Sequence, residues 1–277
     1  MPDCIHHDPN TAAWHASLHL GFARDAECTR LVRREHRGPL RVQKALYPEG
    51  PDACHVIVVH PPGGIVGGDR LDIAFDVPAG CHVLATSPGA TKWYRANNRT
   101  SGQDVRLAAG PGAAIEWLPQ ETIFYDGAAV ETTHEVDLAP DAVYIGAEVL
   151  CFGRRASGER FTHGRIRQRT RVRIDGRPVW WEQGDATPAA LASPLGLGGH
   201  SVCATLVAIG RPANASLLAA LRAVDPQLAV SQVKQVCVAR WLGDDGERAR
   251  AVLTAAWQLL RPHLLGRPAC PPRIWNT

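Results

Sequence analysis

From Ala13 onward, apolar and polar positions alternate with a period of two. Trp14, Ala16, Leu18 and Leu20 fall on one face of an extended chain, and His15, Ser17 and His19 on the other. The same alternation, or a short β-rich run, recurs at 28–33, 40–47, 54–59, 71–77, 81–86, 103–108 and 113–118. It continues at 130–138, 142–150, 160–174, 178–182, 201–209 and 232–241. Gly, Pro, Asp and Asn occupy the gaps. About a dozen short strands with no helix between them predict an all-β body, whether sandwich, barrel or solenoid. No fixed sequence repeat selects among these. Helical periodicity arrives only late. Asn214-Ala215-Ser216 caps a segment from Leu217 to Val224 that Pro226 stops. Asp244 or Asp245 opens a second helix to about Arg261, with Val252, Leu253, Ala256, Leu259 and Leu260 as its apolar stripe and Pro262 as its end. There is no Ser/Gly-rich linker, so residues 13–277 read as one mainly β domain with two late helices.

Composition narrows this little. The chain has 277 residues, 45 % hydrophobic and 21 % charged, and a net charge of +3, which is ordinary for a globular protein and too weak a charge to indicate nucleic acid. Its eight cysteines are scattered, with no C-x-x-C pair, and most lie in apolar strands, the pattern of reduced thiols in the cytoplasm. No apolar run approaches the eighteen or so residues that span a bilayer, and the first residues lack a signal-peptide pattern.

The most constrained stretch is His60-Pro61-Pro62-Gly63-Gly64-Ile65-Val66-Gly67-Gly68-Asp69, between the runs at 54–59 and 71–77. Two prolines and four glycines exceed what a hairpin needs, and predict close backbone approach to something, with Asp69 presented at the end. A tight β-corner is the simpler reading. The glycines do not form a phosphate loop: no Lys-Ser/Thr follows, and a strand rather than a helix comes next. A second turn-like insertion, Ser87 to Arg95, adds hydroxyl, cationic and aromatic groups. His15 and His19 share the outer face of a strand and read as solvated, not as a metal pair.

Several carboxylates sit in apolar surroundings: Glu116 before Trp117, Glu121 after Leu118-Pro119-Gln120, Glu148 within Tyr144–Leu150, and Glu182 after Val179-Trp180-Trp181. Together with Asp69 they could line a polar path, where sparse oxygen ligands shared with water give weak, releasable sites for divalent ions. A pair such as Glu148 and Glu182 could instead serve a β-solenoid glycan hydrolase, which needs an acid and a base flanking an open cleft. Arg165, Arg167, Arg169, Arg171 and Arg173 place five guanidiniums on one strand face. Such a ladder repels itself unless acidic groups or a partner neutralise it. No stacking aromatics interleave with it, which argues against nucleic acid.

Five segments resemble the urease accessory protein UreD (UreH) family: HPPGGIVGGD (60–69), PGATKWYR (88–95), WLPQE (117–121), CFGRRASGE (151–159) with Phe161, and the terminal PRIWNT (272–277). Ser87 stands where the family is expected to have threonine, residues 1–12 match nothing and read as a variable tail, and 185–230 carries few motif residues. The resemblance implies a two-layered β-helical body with two helices near the C-terminus. It further implies a non-enzymatic scaffold that joins UreF and the GTPase UreG on apo-urease, as a dimer of heteromers, while nickel is delivered to the dinuclear site. On that basis Asp69, Glu148 and Glu182 are candidate path residues for transient Ni²⁺, with Thr91, Gly63, Gly64, Gly67 and Gly68 as path wall. Arg154, Arg155 and the arginine ladder are candidates for partner contact. No tightly bound cofactor is expected, and no His- or Cys-rich tract suits nickel storage.

Overall fold

The computed structural model describes residues 13–276, so the expected tail, with Cys4, His6 and His7, lies outside the described residues. The chain is 48 % strand and 15 % helix, and its centre is a β-solenoid of about four turns. A hairpin of β1 (His15–Asp25) and β2 (Cys28–Arg37) precedes the coil, followed by β3 (Arg41–Val42) and β4 (Ala53–Val59). The coil then runs through β5 (Arg70–Val77), β6 (His82–Thr86), β7 (Thr91–Trp93), β8 (Ser101–Ala109), β9 (Ala114–Trp117), β10 (Thr122–Phe124), β11 (Ala129–Leu138), β12 (Val143–Phe152) and β13 (Arg165–Ile174). A hairpin strand β14 (Arg177–Ala186), helix α1 (Pro188–Ala192), β15 (Val202–Ile209), helix α2 (Ala215–Arg222), β16 (Leu228–Val233), β17 (Val236–Gly243) and helix α3 (Gly246–Leu265) complete it.

Each turn of the coil passes once through each of two facing sheets. In the seven-stranded sheet, β1, β5, β8, β11 and β13 run parallel; in the ten-stranded sheet, β4, β6, β9 and β12 do so. Val77, Ala109, Leu138 and Ile174 stand in register across the first sheet, one per turn, about 30 residues apart, as a solenoid requires. The repeat is one of geometry, carried by short corners such as Pro78-Ala79-Gly80 and Gly110-Pro111-Gly112, and so it escapes a search for identical residues. At a third edge, β7, β10 and the end of β12 pair in parallel, stacking Trp93 on Phe124 and Phe124 on Phe152 at 6.5 and 5.5 Å.

The two sheets differ in sequence because they differ in what covers them. The seven-stranded sheet has one solvated face, so β5 alternates Leu71, Ile73, Phe75 and Val77 inward against Asp72, Ala74 and Asp76 outward. The ten-stranded sheet is covered twice, by the first sheet on one side and by α2 and α3 on the other. Its strands are therefore nearly continuous apolar runs, Ala53–Val58 for example, and feed two separate cores. Val252, Leu253, Ala256 and Leu260 of α3 pack into the second core as expected from their spacing, while Leu259 stays 36 % exposed.

A buried ionic cluster clamps α3 to the early coil. Arg261, fully buried, donates to both Glu116 oxygens at 3.0 Å and to Glu49 at 2.6 and 2.7 Å. His82 and Trp257 complete the Glu116 contacts at 2.7 and 2.6 Å, and His55 contacts Glu49 at 2.7 Å. The end of the same helix requires a correction. Helix α3 does not end at Pro262; it runs one further turn to Leu265 and closes at Gly266, whose N–H bonds the Pro262 carbonyl. A proline costs a helix one donor and a local clash, and here Leu264 and Leu265 packing on the second core hold the extra turn in place. Three other expectations also change. Helix α1, capped by Thr187, makes a third helix. The single strand at 232–241 is a hairpin, with Lys234 at φ 52° in its turn. Trp14 precedes β1 and is 56 % exposed.

Candidate functional site between the sheets

The glycine-rich loop does make a close approach, and its neighbour is the second insertion. Tyr94 Oη donates to the Gly63 carbonyl at 2.9 Å, and a Cβ on Gly64 would lie 2.5 Å from the Tyr94 ring. Gly67 packs on the backbone at Arg99 and Asn97. Asp69 is buried and closes the loop: its carboxylate accepts from Val66 N–H at 3.2 Å and Trp14 N–H at 2.9 Å. The two insertions enclose a cavity of about 190 Å³ that includes Gly63, Gly64, Thr91, His60 and Trp117 among its walls. Asp69, Gly67 and Gly68 do not line it. His60 is held below its ordinary pKa by burial, against the pull of the nearby Asp69 charge.

Trp117 is also a wall of a second cavity, about 50 Å³, between the sheets. Here the structure brings Glu148 and Glu182 together. Glu148 projects from β12 on the same face as Tyr144 and Gly146, while Glu182 comes from β14 in the facing sheet. Gln168 donates to Glu148 at 2.5 Å, and the Arg240 guanidinium bonds Glu182 while its Nε donates to Thr205 at 3.2 Å. Across the chamber His134 and Tyr144 Oη are 2.8 Å apart, and the Trp180 indole N–H is buried without a partner. Glu148 and Ala147 also line a third, smaller cavity of about 30 Å³ on the α3 side of the sheet, walled by Arg250, Trp257 and Trp275. Cavities of this size admit one or a few waters where polar partners are present, as they are here.

The electrostatics follow from burial. Glu148 is pushed up to about 7, first by desolvation and then by the Glu182 charge, with Gln168 and Arg240 opposing. His134 is driven down to about 4 by burial alone and is neutral; the Tyr144 hydroxyl is raised by burial and by Glu148. The chamber thus holds two carboxyl groups, Glu182 bonded by the Arg240 guanidinium and Glu148 by the neutral Gln168 amide. Among the described residues no three His, Cys, Asp or Glu side chains are grouped to hold a metal ion, so a cation here would share these two carboxylates with water.

The two other singled-out carboxylates are elsewhere: Glu116 in the Arg261 cluster, and Glu121 paired with Arg250 at 3.0 Å. His134, Tyr144, Gln168, Thr205 and Arg240 were not anticipated. Each lies on a strand whose local pattern shows at most which face its side chain takes; which side chains meet across two sheets is a matter of register.

A model of the family described as "UreD urease accessory protein" matches residues 15–276. The chain belongs to this family. Relatives named urease accessory protein UreD include one from Janthinobacterium sp. (strain Marseille), 54 % identical over 95 % of this chain and 91 % of its own. Another, from Dechloromonas aromatica (strain RCB), is 49 % identical over 97 % and 96 %, and a third, from Pseudomonas fluorescens (strain Pf0-1), is 49 % identical over 96 % of both chains. Membership supports a role in urease maturation.

In this UreD-family chain the arginine ladder is neutralised from within. The parallel register sets Glu131 beside Arg167, Glu135 beside Arg171 and Asp137 beside Arg173, and Arg165 pairs with Asp185 across the hairpin. Arg169 reaches only to 4.0 Å from Glu135. Arg154 forks onto Glu159 at 3.0 and 3.1 Å over the Tyr125 ring, and Arg155 pairs with Asp244. The seven described cysteines are all free, and His15 and His19 sit on the outer sheet face against Asp72 and Asp76.

Proposed function

We infer that this chain is a non-catalytic scaffold of urease maturation which, with UreF and the GTPase UreG, docks on apo-urease in the cytoplasm and supports delivery of nickel to the dinuclear site. The observation that carries this reading is the meeting of Glu148 and Glu182, from opposite sheets, in a chamber that shares the Trp117 side chain as a wall with a larger cavity at the motif loops. Two carboxylates offset the cost of bringing a divalent ion into the interior; without a third or fourth protein ligand they release it again. Thr91, Gly63 and Gly64 wall the larger cavity, while Asp69, Gly67 and Gly68 shape the loop that closes over it. A glycan hydrolase is disfavoured because a chamber of about 50 Å³ has no room for a sugar ring.

The test uses cells carrying a complete urease operon with and without this gene. Deletion should leave apo-urease that the added gene restores. Glu148→Gln and Glu182→Gln should each lower urease nickel and activity several-fold without lowering the level of this protein. Normal nickel content in the deletion strain would end the reading.

A further inference from the structure

A separate pocket of about 430 Å³ lies on the surface, between residues 152–162 at and beyond the end of β12 and the segment 188–201 that carries α1. Its floor is apolar. Phe152 and Phe161 meet edge to face at 5.8 Å, and Leu191 of α1 closes the far side. Its rim is made of small residues, Gly158, Ala192 and Gly199, so the opening is not blocked by side chains. The acidic groups around it are already engaged: Glu159 by the forked Arg154, and Asp244 by Arg155, Ser201 and His200. Arg160 lines the pocket, is exposed, and among the described residues has no acidic partner. Beside it, the turn after α1 holds Leu195 entirely in solvent.

An apolar floor beside an uncompensated guanidinium is complementary to an apolar side chain next to a carboxylate. A small inorganic anion would leave the floor unfilled, and nucleic acid would find one free cation and no exposed stacking ring at the rim. We propose that this pocket binds an acidic peptide segment of a partner protein, seating a leucine or aromatic side chain against Phe152, Phe161 and Leu191 while Arg160 pairs with a flanking Asp or Glu. Arg155 is held by Asp244 at the mouth and forms a second, already oriented cation beside it. The proposal rests only on the chain working within an assembly and is independent of whether nickel crosses the inter-sheet chamber.

The experiment takes the full chain and an array of overlapping peptides covering the urease subunits and the other accessory proteins of a urease operon, with affinities by fluorescence anisotropy. Peptides bearing a leucine or aromatic residue flanked by Asp or Glu should bind, and Arg160→Glu should weaken them at least tenfold. Ala192→Trp, which fills the pocket from an exposed rim position, should do the same, and Glu182→Gln should change nothing. The proposal is overturned if no peptide separates the wild type from these two variants, or if the peptides that bind are neutral or basic. Failure of the nickel reading would appear instead as normal urease nickel in the Glu148→Gln and Glu182→Gln strains, with peptide binding untouched.

Discussion

Glu49 and Glu116 flank one buried guanidinium, that of Arg261, whereas Glu148 and Glu182 share an inter-sheet chamber in which only Glu182 has a guanidinium partner. In the first cluster burial alone would raise both carboxyls, but hydrogen bonds from His55 and Arg261 bring Glu49 down to about 2, and those from His82 and Arg261 lower Glu116. In the second, burial wins and Glu148 rises to about 7. The residue type is the same in both places. What differs is whether the charge is paid for by an opposite charge at bonding distance or left facing a small wet cavity. The first arrangement is a clamp that fixes α3 on the coil. The second leaves Glu148 without a bonded opposite charge, so burial makes it hold its proton up to about 7, and the pair does little for stability.

The largest test of this contrast is Arg261→Met. It strands two buried carboxylates and should cost about 3–5 kcal/mol in denaturant unfolding at pH 7; most of the loss should return when Glu49→Gln and Glu116→Gln are added. For the wild type, the lowered Glu49 and Glu116 contribute stability that is present above about pH 4.5 and is lost as pH falls toward 2. An acid unfolding curve that Arg261→Met leaves unmoved would remove the clamp from the account.

Gly146→Ala comes next, because a Cβ there would collide with Tyr144. Displacing that ring breaks its contact with His134 and should cost about 2 kcal/mol, as overpacking generally does, visible as a lower melting temperature. Glu148→Gln should act in the opposite direction. A carboxyl raised from 4.5 to about 7 keeps its proton in the folded state, so wild-type stability falls as pH rises through that window and levels off above it. The variant should therefore gain about 1–2 kcal/mol at pH 8, a gain that shrinks toward pH 4.5. A constant difference across pH would mean Glu148 is not the group that titrates. The smallest effect belongs to Arg169→Ala, half exposed and loosely paired, which should change stability by less than about 0.5 kcal/mol.

Much of the clamp and the chamber was out of reach of pattern reading. The helix N-caps were not: Asn214 and Asp245 accept from Leu217 N–H and Arg248 N–H as their spacing implied. The strands at 71–77, 103–108 and 130–138 also stood where alternation put them, and His15 and His19 on the outer face. Glu148 and Glu182 stood out only as acids in apolar runs. Glu116 did too, and it belongs to the other cluster. The glycines at 63–68 signalled a close approach, and the identity of its partner, Tyr94, came from the stacking of successive turns.

The sequence by itself determined most of the strands, the starts of the two late helices and the family, because each depends on residues near one another along the chain or on segments recognisable as they stand. Alternation left sandwich, barrel and solenoid open, and the β-helical body was expected only through the family resemblance; the tertiary structure alone decided that Glu131, Glu135 and Asp137 neutralise the arginine ladder, and which buried glutamates meet a guanidinium. Those outcomes are set by register between turns about 30 residues apart, and between α3 and a coil formed some 145 residues earlier. Local periodicity carries no information about contacts at that separation.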